Sequence, residues 1–240
     1  MITRASSERM VVLSDMHLGN PFCTVKGRTI RFLDWASREG FDICINGDGF
    51  EVAQVSFSRL ARDIPEVLHA LKEATGRGSR VFYVVGNHDI VFEHFLNDWG
   101  GFTVVPFLNV ESGGRRIRVE HGHLYDPFFV SSPRLYEFLT WFGGFFLMAT
   151  PRVYKAWILF EKLRFRSGRK RSIHGEHPGF LAAAEELTQR GIDSVVFGHT
   201  HHVGMVALHG GVYLNPGSWM LEPTYVKLES GELALTRFDG

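Results

Sequence analysis

Three uninterrupted apolar runs, separated by helix-patterned stretches, leave the first third of this chain few ways to fold. Met10-Val11-Val12-Leu13-Ser14, Phe41 to Asn46 and Arg80 to Val85 are short and continuous, as strands buried on both faces are. Arg28 to Arg38 reads as a helix between the first two. Ser58 to Ala74 reads as helical between the second and third, with Leu60, Ile64, Val67, Leu68 and Leu71 at helical spacing. This strand-helix-strand-helix-strand succession predicts a parallel sheet covered on both faces.

From Phe102 the rhythm shortens. Val104-Val105, Phe107 to Glu111 and Arg116 to Glu120 read as strands, the last two joined by the turn signal Ser112-Gly113-Gly114. A helix returns after His177 (Leu181, Ala184, Leu187), followed by the strand Ser194-Val195-Val196-Phe197 and short alternating runs that end at Phe238. The expected class is α/β, with two packed sheets and helices outside. Ser131 to Arg171 breaks the pattern with two apolar helical segments on either side of Thr150-Pro151. The domain plan is therefore a core of residues 1–130 and 172–240 with an inserted helical subdomain at 131–171.

Bulk composition narrows the function. The 240 residues are 45% hydrophobic, enough for one sizeable core, and 26 Lys plus Arg balance 26 Asp plus Glu, so no global field recruits nucleic acid. Cys23 and Cys44 are too few for a disulfide framework and lack the spacing of a structural zinc site. Met1 to Arg9 has no apolar export core, which predicts a cytoplasmic protein. The longest uncharged stretch, Phe138 to Pro151, falls short of the roughly 20 residues of a membrane span, so it is expected to lie on a membrane at most.

Five polar clusters follow predicted strands: Asp15-Met16-His17, Gly47-Asp48, Gly86-Asn87-His88-Asp89, His121-Gly122-His123 and Gly198-His199-Thr200-His201. Sites in α/β sheets gather beyond the carboxyl ends of strands, where residues distant in sequence converge. The donors are carboxylate, imidazole and amide with no thiolate, a set suited to Mn, Fe, Zn, Co or Ni. In Asp15-x-His17 and His199-x-His201 the spacing would let an extended strand end present both side chains on one face. A glycine before Asp48, Asn87 and His199 permits close backbone approach. Asp89 is expected to cap a following helix and His123 to stand just behind the ligands, while Glu51 and Asp126 either orient ligand imidazoles or are solvated surface carboxylates.

In this order the blocks resemble the signature of the calcineurin-like metallophosphoesterases, over a region reaching from Asp15 to Asn215-Pro216-Gly217-Ser218. The resemblance implies a four-layer α/β/β/α sandwich and two divalent ions, manganese foremost. Asp15, His17, Asp48 and His201 would hold one and Asp48, Asn87, His121 and His199 the other, with Asp48 bridging. Two such cations, about 3.5–4 Å apart, activate water for attack on phosphorus without a protein nucleophile. His88 would be the catalytic imidazole, contacting a phosphoryl oxygen or protonating the leaving oxygen.

The insertion speaks to the substrate. Leu135, Phe138, Leu139, Trp141, Phe142 and the residues after them are apolar nearly all round, and Lys162, Arg164, Arg166, Arg169, Lys170 and Arg171 form a basic run in a chain of zero net charge. An aromatic, basic lid suits acyl chains and an anionic membrane surface. It resembles the insertion of the UDP-2,3-diacylglucosamine diphosphatases of lipid A biosynthesis, in which Ser167, Arg169 and Lys170 would fall among the headgroup contacts. That resemblance implies a peripheral protein of the inner membrane face and a lipid-linked pyrophosphate substrate. His88 departs from it, since many of those enzymes carry Arg there. A phosphodiesterase or phosphatase of small substrates, whose insertion closes a lid or a homodimer, is the alternative; a metal-binding scaffold is a third, disfavoured by ligand residues intact at every motif.

Overall fold

Alternation along the strands decides the layering. The computed structural model describes residues 4–21, 23–95, 97–98, 101–136, 138–140, 142 and 176–240. The chain begins with β1 (Arg4–Ser6), β2 (Arg9–Leu13), α1 (Lys26–Arg38), β3 (Asp42–Asn46), α2 (Phe57–Asp63), α3 (Pro65–Gly76) and β4 (Val81–Val84). It continues through β5 (Asn97–Asp98), β6 (Thr103–Val105), β7 (Leu108–Ser112), β8 (Arg115–Val119) and α4 (Pro127–Ser131). After the insertion come α5 (Pro178–Gln189), β9 (Ser194–Val196), β10 (Gly204–Leu208), β11 (Gly211–Asn215), β12 (Thr224–Glu229) and β13 (Glu232–Arg237). Among the described residues these strands make a seven-stranded sheet, β13-β12-β2-β3-β4-β6-β5, and a six-stranded sheet, β1-β7-β8-β9-β11-β10. β2, β3 and β4 are parallel neighbours, as the helices between them require.

Odd and even positions of each strand face different layers. Met10, Val12, Cys44, Phe82 and Val84 meet Val110, Ile117, Val119, Val196 and Leu214 between the two sheets. Val11, Leu13, Ile43, Ile45 and Tyr83 face outward onto Phe32, Leu33 and Ala36 of α1 and Val67, Leu71 and Ala74 of α3. On the far side, Val195 and Tyr213 pack under Phe180 and Ala184 of α5. The result is an α/β/β/α sandwich, and it buries both faces of each central strand, which is why those strands read as unbroken apolar runs.

One helix differs from expectation. Ser58 to Ala74 is two helices, because Pro65 has no N–H to continue α2 and instead occupies the first turn of α3, while Ile64 sits between them at φ −104°, ψ −9°. The β7–β8 turn holds as expected: Gly113 and Gly114 have φ of 52° and 76°, the paired positive values of a tight two-residue hairpin. Of the insertion, residues 133–136 and 138–140 are helical, set off from α4 by Ser132 at φ −145°, ψ 58°; residues 143–171 lie outside those described. Among the described residues no helix is long and apolar enough to cross a membrane.

Candidate metal centre

The five clusters follow β2, β3, β4, β8 and β9 directly. β2, β3 and β4 are mutually parallel, as are β8 and β9, so within each sheet the carboxyl ends meet at one edge. The local backbone there is unusual. Among the described residues, six non-glycines have positive φ, and five of them are Asp15 (55°), His17 (47°), Asp48 (51°), His199 (65°) and His201 (57°). This corrects the expectation of extended strand ends: left-handed turns, not strand alternation, bring Asp15 with His17 and His199 with His201 to the site. Asp and His tolerate this region better than most residues, and backbone strain of this kind, about 1–3 kcal/mol per residue, persists only where surroundings hold it. The glycine expectation stands at Gly86, where a Cβ would collide with the Asp48 carboxylate.

His17, His121 and His199 each have one nitrogen engaged by an acceptor, which assigns the tautomer of the neutral ring. His121 Nδ1 donates to the Asn46 carbonyl (2.9 Å), leaving Nε2 with a lone pair 3.2 Å from Asn87 Oδ1. His199 Nε2 donates to Asp126 Oδ2 (3.0 Å), leaving Nδ1 with a lone pair 2.8 Å from the same oxygen. The Asn87 amide is oriented in turn, because its Nδ2 donates to the Tyr136 hydroxyl at 3.1 Å. With His121 neutral, three acceptors therefore converge with no proton between them; in the metal-free protein a proton on His121 Nε2 would instead face Asp48 Oδ2, 3.5 Å away. A cation satisfies such a cluster.

The neighbouring cluster has the same logic. His17 Nδ1 donates to Glu51 Oε2 (2.9 Å), and its Nε2 is buried without a hydrogen-bond partner. Asp15 Oδ2 accepts from the Ser14 hydroxyl and the His199 backbone N–H, while Oδ1 is likewise without a hydrogen bond, at 3.2 Å from His201 Nε2. Ligand atoms of Asp15, His17 and His201 lie within 4.8 Å of one another, as do those of Asp48, His121 and His199, and those of His17, Asp48 and His88. These orphaned atoms and acceptor-only contacts fit a cation pair with Asp48 between.

Electrostatics run the same way. Burial opposes charge throughout, yet His121 and its neighbours hold Asp48 well below the usual carboxylate range. Against its burial, His121 is lifted to about 9 by Asp48, and His88 to about 10 by Glu51 and Asp48. In the metal-free protein, protons thus stand where cationic charge is wanted. His88 completes a second bond to Glu51, Nδ1 to Oε1 at 2.5 Å, and its backbone N–H donates to Asp48 Oδ1 at 2.9 Å. His123 is different: buried, with neither ring nitrogen partnered, it is pushed down to about 3 by burial and the His121 charge, and so it is neutral.

Asp89 corrects the sequence reading. Its carboxylate turns inward to accept from the Gly86 and Gly49 N–H groups (2.6 and 3.0 Å) and from the Tyr83 hydroxyl, pinning the β3 and β4 loops together instead of capping a helix. Tyr136 and the Asn46 carbonyl escaped the sequence reading; Asn46 directly precedes Gly47-Asp48, whereas Tyr136 carries no motif that could mark it. Ser167, Arg169 and Lys170 lie outside the described residues.

A family model of the calcineurin-like phosphoesterases matches residues 8–203. The chain belongs to that family. Its family binds divalent metals, and the His and Asp clusters described above are groups that could hold them. Over 100 residues the chain is 30% identical to the UDP-2,3-diacylglucosamine hydrolase of Azotobacter vinelandii, an alignment covering 40% of this chain and only 39% of that relative. In fold it is similar to an archaeal phosphodiesterase, with TM-score 0.50 and 16% identity over 96% of this chain and 99% of the other. It is also similar to Vacuolar Protein Sorting 29 of Cryptosporidium parvum, with TM-score 0.49 and 16% identity over 97% of this chain and 99% of that one.

Proposed function

We propose that Asp15, His17, Asp48 and His201 hold one divalent cation, manganese first, and that Asp48, Asn87, His121 and His199 hold a second, with Asp48 shared. The observation that carries this reading is the convergence of Asn87 Oδ1, His121 Nε2 and His199 Nδ1, each an acceptor in the neutral side chain because the group's N–H is given to an acceptor elsewhere. When bound, such a pair supplies Lewis acidity that activates water and neutralises charge developing on a phosphoryl group. His88 is the catalytic imidazole. Glu51 fixes its ring through Nδ1, and the other nitrogen is left to donate to a phosphoryl oxygen or to protonate the leaving oxygen.

The substrate class follows from what borders the site. Asp126 touches His199, Tyr136 touches Asn87 and Phe129 packs edge-on against His123, so α4 with its N-cap and the start of the insertion border the site. Next to it Leu135, Phe138, Leu139 and Phe142 are exposed, an apolar rim suited to acyl chains. With the partial likeness to a UDP-2,3-diacylglucosamine hydrolase, this supports hydrolysis of the pyrophosphate of an acylated nucleotide sugar. The 131–171 insertion would then be the membrane-facing lid, at the inner face of the cell membrane. His88, where many lipid pyrophosphatases carry Arg, favours a second reading, a phosphodiesterase or phosphatase of small substrates.

The deciding assay compares UDP-2,3-diacylglucosamine with bis-p-nitrophenyl phosphate in Mn2+, with Asp48→Ala as control. UMP release from the lipid, lost in Asp48→Ala, supports both site and substrate. Cleavage of the generic ester alone keeps the site and refutes the lipid reading.

A further inference from the structure

A buried carboxylate outside the proposed ligand set stands behind the His199–His201 turn. Glu176 is 3% exposed. Three donors converge on its Oε2: the Tyr213 hydroxyl at 2.7 Å, the Thr200 hydroxyl at 2.9 Å and Asn215 Nδ2 at 3.0 Å. Its other oxygen accepts from the His177 backbone N–H at 2.8 Å. Asn215 Nδ2 also reaches the Gly198 carbonyl (3.2 Å) and Thr200 Oγ1 (2.9 Å), so the network grips both the entry and the middle of the turn.

Thr200 is the one residue between His199 and His201, and both of those have left-handed backbones that need holding from outside. Its hydroxyl donates to Glu176 Oε2 and accepts from Asn215 Nδ2 within this network. A carboxylate oxygen can accept three donors at once, whereas the amide of a glutamine would have to turn its NH2 either toward the Asn215 amide or toward the His177 N–H. Burying a charge is costly unless it is fully hydrogen-bonded, and here it is placed where rigidity of the ligand turn is needed.

We propose that Glu176 is a positioning residue: through Thr200 it sets the approach of His199 Nδ1 and His201 Nε2 to the two cation sites. This rests on the reading of those histidines as ligands. It also ties the chain at the point where it returns from the insertion to the loop that binds metal.

The test uses the full chain, stripped of metal and titrated with Mn2+ by calorimetry, with kcat and KM for bis-p-nitrophenyl phosphate measured across Mn2+ concentrations. Glu176→Gln and Thr200→Val are expected to weaken Mn2+ binding about 10–100-fold, the usual effect of losing a residue that orients a ligand. Activity should be restored largely by excess Mn2+ with KM little changed, and Thr200→Ser, which keeps the hydroxyl, should return Mn2+ affinity to the wild-type value. A purely structural role would lower the melting temperature of the stripped protein and leave Mn2+ affinity of the folded fraction alone. Unchanged Mn2+ affinity in Thr200→Val and in folded Glu176→Gln, with clear weakening in a His199→Ala control, overturns the role of Glu176. Unchanged affinity in His199→Ala as well overturns the ligand reading beneath it. Should Glu176→Gln fail to fold, Thr200→Val against Thr200→Ser decides.

Discussion

Replacing Glu51 by glutamine removes one acceptor from a carboxylate that two imidazoles share. Oε2 takes His17 Nδ1 at 2.9 Å and Oε1 takes His88 Nδ1 at 2.5 Å, with the side chain 1% exposed. A glutamine can accept from only one of the two. If its oxygen faces His88, then His17 meets an NH2 group, must accept through Nδ1, and carries its proton on Nε2, the atom the metal reading requires free. If the oxygen faces His17, His88 loses its anchor, and in either orientation the Glu51 charge that helps hold His88 protonated is gone. Either way one charge-assisted hydrogen bond is lost, about 1.5–3 kcal/mol, which is roughly 10- to 150-fold in an equilibrium or a rate. The first orientation weakens Mn2+ binding as well as lowering kcat; the second lowers kcat and leaves binding intact. Calorimetric titration of the stripped protein, together with turnover of bis-p-nitrophenyl phosphate at saturating Mn2+, distinguishes them. Glu51→Gln with both Mn2+ affinity and kcat within about twofold of wild type would refute the shared-carboxylate reasoning.

Three further outcomes are expected. In Tyr136→Phe the Asn87 amide loses the acceptor that turns its oxygen inward, so Mn2+ affinity should fall by about tenfold with little change in melting temperature; an unchanged titration would count against Asn87 as an oriented ligand. In the stripped protein, against their burial, Glu51 and Asp48 raise His88 from 6.5 to about 10 and Asp48 raises His121 from 6.5 to about 9, while Glu51, held down chiefly by His88 against its own burial, falls from 4.5 to about 2. The histidine contribution is fully present below 6.5 and lost as pH rises through 9 to 10, and the Glu51 contribution is present above 4.5 and lost toward 2. Melting temperature in chelator should therefore decline from pH 6.5 to 10, Mn2+ affinity should rise over the same interval, and a stripped protein that grows more stable toward pH 9 would contradict the assignment. Trp219 is fully buried against Phe32 and donates Nε1 to Thr29 at 2.9 Å, so Trp219→Ala should cost about 3–5 kcal/mol in urea unfolding, and a loss under about 1 kcal/mol would mean the core there collapses freely.

Much of this molecule was legible from local pattern. The apolar runs ending at Ser14, Asn46 and Val85 announced strands buried on both faces, and the order of Asp15-x-His17, Gly47-Asp48, Gly86-Asn87-His88-Asp89, His121-Gly122-His123 and Gly198-His199-Thr200-His201 marked the candidate site beyond strand ends. Where reading stumbled, the deciding contact was remote or the backbone was strained. Pro65 broke a helix whose apolar spacing ran straight through it. Asp89 looked like a cap but serves Gly49 and Gly86 across two loops.

Residue types and periodicities are properties of neighbours along the chain, so the sequence by itself determined the layers, the edge at which the site forms and the chemistry of its donors. Tertiary structure alone decided which nitrogen of each imidazole is free: Asn46 settles it for His121, Asp126 for His199 and Glu51 for His17, partners 75, 73 and 34 residues away. It also decided the left-handed turns at Asp15, His17, Asp48, His199 and His201, because backbone strain at a non-glycine residue persists only where packing and hydrogen bonds from elsewhere in the fold outweigh it.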